Sequence, residues 1–442
     1  MSEISPEFLA ERNVRFVRVL WCDNGNVIRA KAIHVGALKR HWQRGVGLSV
    51  AQQAVPATVD APAAGSGLGP VGEVWLVPDE ATLTVLPYAP SHARVLGNLV
   101  KDGQPWPWCP RGFLQRMVQA AADLGLEIQA AFENEFYLLQ KQGDRLIPAD
   151  QMPFAASLSM DLQQPIIDAI ADALIAQNIE IEQYYPESGP GQQEISVRYT
   201  QAIAAADQQI AFRETVRAIA RQHGLIASFL PKVFENSAGS GCHLHFSLWQ
   251  QGQNIVPNGQ GQLTAIARSF VAGILNHLPA LMLLTAPSTN SYRRLQPHAW
   301  SGAFRAWGYD NREAAVRIPT NPSSPSPTHI ELKTVDGAAN PYLALGAVIA
   351  AGLDGVRQKL SPSDPVDIDP GLIPEAEQMR RGIDRLPTSL KLAMEQFQQD
   401  TVLTEALGQP LAQTYLAVRQ AEWEALHSLS LEEEVRLLVE RY

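Results

Sequence analysis

Cysteine is scarce: Cys22, Cys109 and Cys242 are the only three in 442 residues, and no two stand at Cys-x-x-Cys spacing. That excludes the paired-cysteine patterns of redox and zinc motifs, and the expected location is a reducing cytoplasm. Basic clusters are also missing from a chain of formal net charge −10. A nucleic-acid surface is therefore not expected, whereas bound metal cations suit a charge of that sign. No uninterrupted apolar run reaches the length of a bilayer span or a signal h-region, so no membrane partner is expected either. Internal repeats and low-complexity tails are absent. What is present, 46% hydrophobic and 18% charged residues, can bury a large core in two domains.

The first hundred residues read as β-rich. VRFVRVLWCDNGNVIRAKAI, residues 14–33, forms two strands joined by a tight turn at Asp23-Asn24-Gly25-Asn26, since Asn-Gly accepts the positive φ angles of hairpins. A Gly/Ala/Pro-rich loop runs from Val59 to Gly72, and VWLVP follows as a strand. WPWCPRG, residues 106–112, marks a boundary between residues 1–106 and 107–442. Beyond Pro110 the period changes: Phe113, Leu114, Met117, Val118, Ala121 and Leu124 recur at helical spacing, with Gly125 as C′. Further helices are expected around residues 164–177 and 206–223, Pro/Ser-rich loops at 321–328 and 361–374, and a helical C-terminus with Ser430 and Glu433 as a capping box. The fold class is α+β.

AFENEFYLL, residues 131–139, places two acids inside a segment that otherwise reads as a buried strand. Alternation puts Glu133 and Glu135 on one face, about 6.6 Å apart, with Phe132, Phe136 and Leu138 on the other. Two unpartnered like charges at that spacing raise each other's pKa, so a cation is expected between them. Other segments repeat the design. His243, His245 and Ser247 alternate with Leu244, Phe246 and Leu248; His329, Glu331 and Lys333 alternate with Ile330 and Leu332; Glu194, Ser196 and Arg198 do so in QEISVRY. For one such strand a solvated face is the simpler reading, but four suggest a sheet whose polar face lines a cavity. Glu133, Glu135, Glu187, Glu194, Glu331 and His243 together suit hard divalent cations such as Mg²⁺ or Mn²⁺.

Taken in order, E-x-E at 133–135, ESGPGQQE at 187–194, PKVFENSAGSGCHLHFSL at 231–248, NSYRRLQP at 290–297, NREAAVRIP at 311–319 and HIELKTVDGAANPYLAL at 329–345 resemble the glutamine synthetase family. The resemblance runs from about residue 14 to the C-terminus. The E-L-K and A-N-P-Y-L-A-L wording is most similar to its glutamate-amine ligase branch, which is γ-glutamylamide or γ-glutamylpolyamine synthetase-like and of FluG/nodulin type. It implies an N-terminal β-grasp domain and a catalytic domain whose curved antiparallel sheet lines a two-metal funnel. By resemblance Glu135, Glu187 and Glu194 hold one Mg²⁺ or Mn²⁺, and Glu133, His243 and Glu331 a second. The implied partners are glutamate, ATP as co-substrate and an amine, in a homo-oligomer, a dodecamer of two hexameric rings with sites between adjacent subunits.

Residue roles follow the same resemblance. Arg312 and Arg317 match phosphate-handling catalytic arginines, and Arg294 matches the clamp on the substrate's α-carboxylate. Gly239 falls in the glutamate-binding turn. Glu182, Tyr199, His245, Ser247 and Arg317 fall at nucleotide contacts. The departures bear on the substrate. Trp300 stands where ammonia-using members keep a glutamate, and GVGLSV at 45–50 lacks the aspartate that helps bind ammonium. An indole suits the organic body of a larger amine, so Trp300 is expected at the amine site with a catalytic or binding role. Lys333 replaces an arginine near the acidic substrate, Ala238 an asparagine, and His329 and Ser326 basic nucleotide contacts. The expected activity is ATP-dependent ligation of glutamate, through γ-glutamyl phosphate, to an organic primary amine. The alternatives are an ammonia-using synthetase, in which Trp300 only fills core space, and a catalytically silent member.

Overall fold

The computed structural model describes residues 9, 11–321, 323 and 326–442; residues 322, 324 and 325 of the Pro/Ser-rich loop lie outside the described residues. The N-terminal sheet comprises β1 (Phe16–Cys22), β2 (Ile28–His34), β3 (Val46–Ser49), β4 (Glu73–Pro78), β5 (Thr84–Val85), β6 (His92–Lys101) and β7 (Gln104–Pro105). Its central path is β2-β1-β6-β4-β3, with β1 and β6 parallel. The turn after β1 differs from expectation. Five residues, 23–27, separate Cys22 from its cross-strand partner Ile28, and the positive φ falls on Asn26, at +61°. Gly25 is needed for space instead, because a Cβ there would lie 2.6 Å from the Val55 carbonyl oxygen.

The larger sheet contains β8 (Glu127–Gln142), β9 (Arg145–Pro148), β10 (Ile181–Pro186), β11 (Gln192–Val197), β12 (Thr200–Gln201), β13 (Ile226–Ser228), β14 (Cys242–Gln250), β15 (Gln253–Asn254), β16 (Phe304–Tyr309), β17 (Ala314–Ile318) and β18 (Ile330–Leu332). Its path is β10-β11-β8-β14-β18-β17-β16. Every pairing along it is antiparallel except β16 with β17, which align Phe304 with Ala314 and Tyr309 with Ile318. The departure from a wholly antiparallel sheet arises because residues 310–313, with Asp310 at φ +49°, return the chain to the start of β16 instead of closing a hairpin. The strand expected over 329–336 is likewise only three residues long, since the chain turns at Lys333 and Thr334 directly after Leu332.

Helices cover the back of this sheet. Pro110–Ala122 begins on the Pro at its first turn, where the missing N–H costs nothing. Ser157–Ile175 contains Pro165 and starts about two turns before the expected span. Ala202–Gln222 and the paired helices Ala265–Thr285 and Pro341–Gln358 complete the core. Ala265–Thr285 is long and apolar enough to cross a bilayer by length and composition, which a search for uninterrupted runs does not reveal; 72% of its most apolar window is buried inside the protein. It meets Pro341–Gln358 where Gly273 and Gly355 touch, and a Cβ on Gly273 would stand 2.2 Å from the Ala351 carbonyl. The C-terminal helix Leu431–Leu438 carries the Ser430/Glu433 capping box.

Candidate active site

The polar row of the large sheet follows from register. Phe132, Phe136 and Leu138 are buried behind β8, each contributing about 1.5–3 kcal/mol on burial, and a one-residue slip would exchange them for the acids in front. With that register Glu194 on β11 pairs with Glu135 on β8, Glu133 pairs with His243 on β14, and His245 pairs with Glu331 on β18. Glu331 in turn faces Arg317 on β17, and Tyr185 on β10 is the neighbour of Glu194. The four strands that the sequence singled out thus place their ionisable alternate residues on one continuous face.

Side-chain distances show a tight cluster. Glu133 Oε2 lies 3.2 Å from His243 Nδ1 and 3.3 Å from His245 Nε2. His243 also reaches Glu331 Oε1 at 3.3 Å and Glu135 Oε1 at 3.6 Å. Ligand atoms of Glu133, His245 and Glu331 all lie within 4.8 Å of one another. His245, placed near the phosphates by resemblance, thus sits among the same carboxylates as His243. Tyr185 donates to Glu187 Oε1 at 2.9 Å. Glu331 is compensated by Arg317 Nη1 at 3.0 Å and Lys333 Nζ at 3.2 Å. Lys333 is buried in that pair.

The electrostatics divide the acids into two groups. Burial and the nearby charge of Glu187 push Glu135 up to about 7, and burial with Glu133 and Glu135 pushes Glu194 up to about 10. Burial opposes ionisation of Glu331 and Glu133 too, but Lys333 and the histidines hold Glu331 low, and His245 with His243 holds Glu133 well below the carboxylate range. Burial and Lys333 lower His243 to about 4, so its imidazole is neutral and able to ligate. Carboxylates crowded until two resist ionisation, beside a neutral imidazole, are a donor set short of positive charge. The set fits divalent metal ions.

Arg294 is buried beside the row, with Nη2 donating to the carbonyls of Lys333 and Val335 at 2.9 and 3.0 Å. Gly239 and Gly241 make room for it: a Cβ on Gly239 would stand 2.5 Å from Arg294 Cγ, and one on Gly241 3.0 Å from Nη1. At the other end of the row a cavity of about 490 Å³ brings together Glu182, Tyr199, His245, Ser247 and Arg317 with Trp249. Tyr199 and Trp249 form an aromatic pair with centroids 6.3 Å apart, and Trp249 Nε1 donates to Ser247 Oγ at 2.8 Å. Trp249 was missed from sequence, although it continues the alternation of His243, His245 and Ser247; an aromatic in a strand reads as core. Tyr185 was missed for the same reason. A larger groove of about 750 Å³ near Lys141, Phe234 and the C-terminal helix lies away from these residues.

Trp300 and Arg312 lie outside the acidic row. Trp300 is 58% exposed, so it does not fill core space, and Arg312, also exposed, lays its guanidinium 5.8 Å from the indole centroid. Arg312, expected with Arg317 to handle phosphate, stands with Trp300 on the turn that precedes β17, while Arg317 lies within the strand.

A sheet presenting acids and histidines toward an arginine- and aromatic-lined cavity suits divalent metal ions beside an anionic ligand, and the family match makes the chain an ATP-dependent ligase that forms C–N bonds. The chain belongs to the glutamine synthetase family: its residues 107–438 match the family's catalytic domain and residues 5–106 its N-terminal domain. It is 39% identical over 424 residues to gamma-glutamylpolyamine synthetase GlnA3 of Streptomyces coelicolor, covering 94% of this chain and 91% of that one. It is 33% identical over 460 residues to type-1 glutamine synthetase 1 of Dictyostelium discoideum, covering 97% and 90%. A solved GmaS/ADP complex superposes with a TM-score of 0.86 at 28% identity, covering both chains completely.

Proposed function

We propose that this enzyme joins the γ-carboxyl group of glutamate to an organic primary amine larger than ammonia. Trp300 carries the reading: an exposed indole with the Arg312 guanidinium over it, at a sequence position where ammonia-using members keep an acid, offers apolar area and a π face that ammonium cannot use. The gamma-glutamylpolyamine synthetase relative supports it.

Glu135, Glu187 and Glu194 would hold one divalent ion, and Glu133, His243 and Glu331 another, with His245 beside the second. Mg²⁺ or Mn²⁺ there would neutralise phosphate charge and orient the transferred group. The protein's own groups do the rest. Tyr199 and Trp249 receive the adenine ring of ATP, with Glu182 and Ser247 beside them. Arg317, fixed by Glu331, faces the phosphates. Arg294 and the Gly239 turn hold glutamate's α-carboxylate, Lys333 balances charge beneath it, and the γ-carboxylate attacks the γ-phosphorus in line. ADP leaves as the bond from the γ-phosphorus to the β–γ bridging oxygen breaks, and the amine nitrogen then attacks the carbonyl carbon of the resulting acyl phosphate, losing a proton as inorganic phosphate is displaced. Preorganised charge in a partly dehydrated site is the main source of acceleration. The second reading, an ammonia-using synthetase, is supported by the Dictyostelium relative; a silent member would have no use for six clustered ligands.

The deciding experiment is phosphate release from ATP with purified protein, Mg²⁺, glutamate and, in turn, ammonium, methylamine, ethanolamine, putrescine and aniline. A primary amine with a kcat/KM above that of ammonium supports the proposal; ammonium as the best acceptor overturns it. We propose a hexamer-based homo-oligomer as the active form, and an active monomer in light scattering would refute that.

A further inference from the structure

The loop carrying Trp300 holds both His298 and Trp300 at positive φ, +60° and +52°. Bulky L-residues take up that conformation only where their surroundings over-determine it. Three contacts do so here. His298 Nδ1 lies 2.6 Å from Asp369 Oδ2. Gly302, at φ +76°, presses onto the sheet so closely that a Cβ would stand 2.9 Å from Ala315 Cα and 3.3 Å from Lys333 Cβ. Trp300 N–H donates to Glu313 Oε1 at 2.8 Å.

Glu313 is itself well anchored. It is only 7% exposed, and its N–H donates to Asn311 Oδ1 at 3.0 Å. Asn311 is fastened in turn by Nδ2 to the carbonyls of Val366 and Ile368, at 2.8 and 2.9 Å. Glu313 Oε2 is buried with no protein donor, so the carboxyl group serves the Trp300 N–H alone among the described residues. One hydrogen bond thus ties the exposed aromatic surface to the rigid start of β17, next to Arg312 in sequence and beside Lys333 in space.

We infer that Glu313 is a positioning residue for amine selection: through the Trp300 N–H it fixes the indole, with the Arg312 guanidinium against it, in the place where the amine's organic body is received. This rests on the amine-ligase reading above. Glu313 does not touch the reacting atoms, and its effect passes through Trp300.

The test is a double-mutant cycle in the full-length enzyme, with the best wild-type amine among ammonium, methylamine, ethanolamine and putrescine. Glu313→Ala should raise that amine's KM about tenfold and leave the KM values for ATP and glutamate within about twofold of wild type. Glu313→Gln retains an oxygen at the same reach and should restore the wild-type KM. In a Trp300→Ala background, Glu313→Ala should have no further effect. If Glu313→Ala does not fold, Glu313→Asp, whose oxygen is drawn back by one methylene, must show the same rise. An unchanged amine KM, effects of the two substitutions that multiply independently, or a parallel rise in the KM values for ATP and glutamate would overturn the inference. A wild type that prefers ammonium overturns the amine-ligase reading and this inference with it, whereas a wild type that prefers an organic amine but shows no coupling between Glu313 and Trp300 overturns this inference alone.

Discussion

The acidic row and the Trp300 loop lie next to each other and are built in opposite ways. In the row, Glu133, Glu135, Glu194, His243, His245 and Glu331 stand on strands, their direction set by alternation and their register locked by the buried apolar face behind them. In the loop, direction comes from left-handed backbone at His298 and Trp300, held by a few hydrogen bonds to distant segments. Strand-borne geometry tolerates many changes around it and few within it. Loop-borne geometry rests on a few contacts and is easier to release, and on the proposed function the chemistry falls to the row and the choice of amine to the loop.

The sharpest break is expected within the row. Glu135→Ala or Glu331→Gln should lower ATP-dependent phosphate release by about a thousandfold or more while leaving circular dichroism unchanged, since each removes a charged donor from the centre that positions the phosphates. In the same experiment Mg²⁺ should raise the Tm of the wild type, by about 2.7 kcal/mol of stabilisation at a hundred times its Kd. That increment should shrink in Glu135→Ala and vanish from the wild type on adding EDTA. Turnover near wild type in either variant at limiting Mg²⁺ would contradict the assignment.

The loop should respond in selectivity more than in rate. Trp300→Glu places a carboxylate where ammonium must bind and removes the indole, so the ratio of kcat/KM for ammonium to that for the best organic amine should rise about ten- to a hundredfold, or about 1–3 kcal/mol. A folded, ATP-binding variant with an unchanged ratio would end the role given to Trp300. At the nucleotide end of the row, Tyr199→Ala or Trp249→Ala should raise the KM for ATP by up to about tenfold, the size of a lost aromatic stack of about 0.5–1.5 kcal/mol. The KM for the amine should not move, and the two separate readouts would confirm that the row and the loop are independent.

The smallest effect tests whether a histidine among acids needs the funnel to matter. His277 sits in the helical core with Nδ1 2.6 Å from Asp400 and Nε2 3.1 Å from Asp354. Burial opposes its charge, but hydrogen bonds to Asp400 and Asp354 win and raise its pKa. Because the folded value lies above the unfolded one, the stabilisation is complete below about pH 6.5 and is lost as pH rises through the folded value. Its size is about 1 kcal/mol, the difference between charged and neutral hydrogen bonding. Wild type should therefore lose that margin over His277→Gln in thermal melts between pH 6 and pH 9. A margin that grows with pH would contradict this.

Much of the row was legible because its signal is local. Glu133-x-Glu135 and His243-x-His245 announce period-two faces, and the Ser430/Glu433 box announces a helix start from four residues. The loop was less legible. Glu313 sits between Arg312 and Ala314 with nothing to mark it as buried, and its partner is thirteen residues upstream across an irregular turn. The span apolarity of Ala265–Thr285 was hidden because Arg268 and His277 interrupt its runs, although a helix spreads such residues around its circumference.

Sequence by itself determined which residues can share a face, since the period of a strand depends only on the backbone, and it carried the family's ordered motifs. It also determined that no acid occupies position 300. Tertiary structure alone decided that Arg317 would meet Glu331, that Arg312 would lie over Trp300, and that Trp249 would meet Tyr199. Those outcomes depend on how strands from distant parts of the chain are paired and on loops whose positive φ angles are imposed by contacts from elsewhere, and neither is encoded in the local pattern around any one residue.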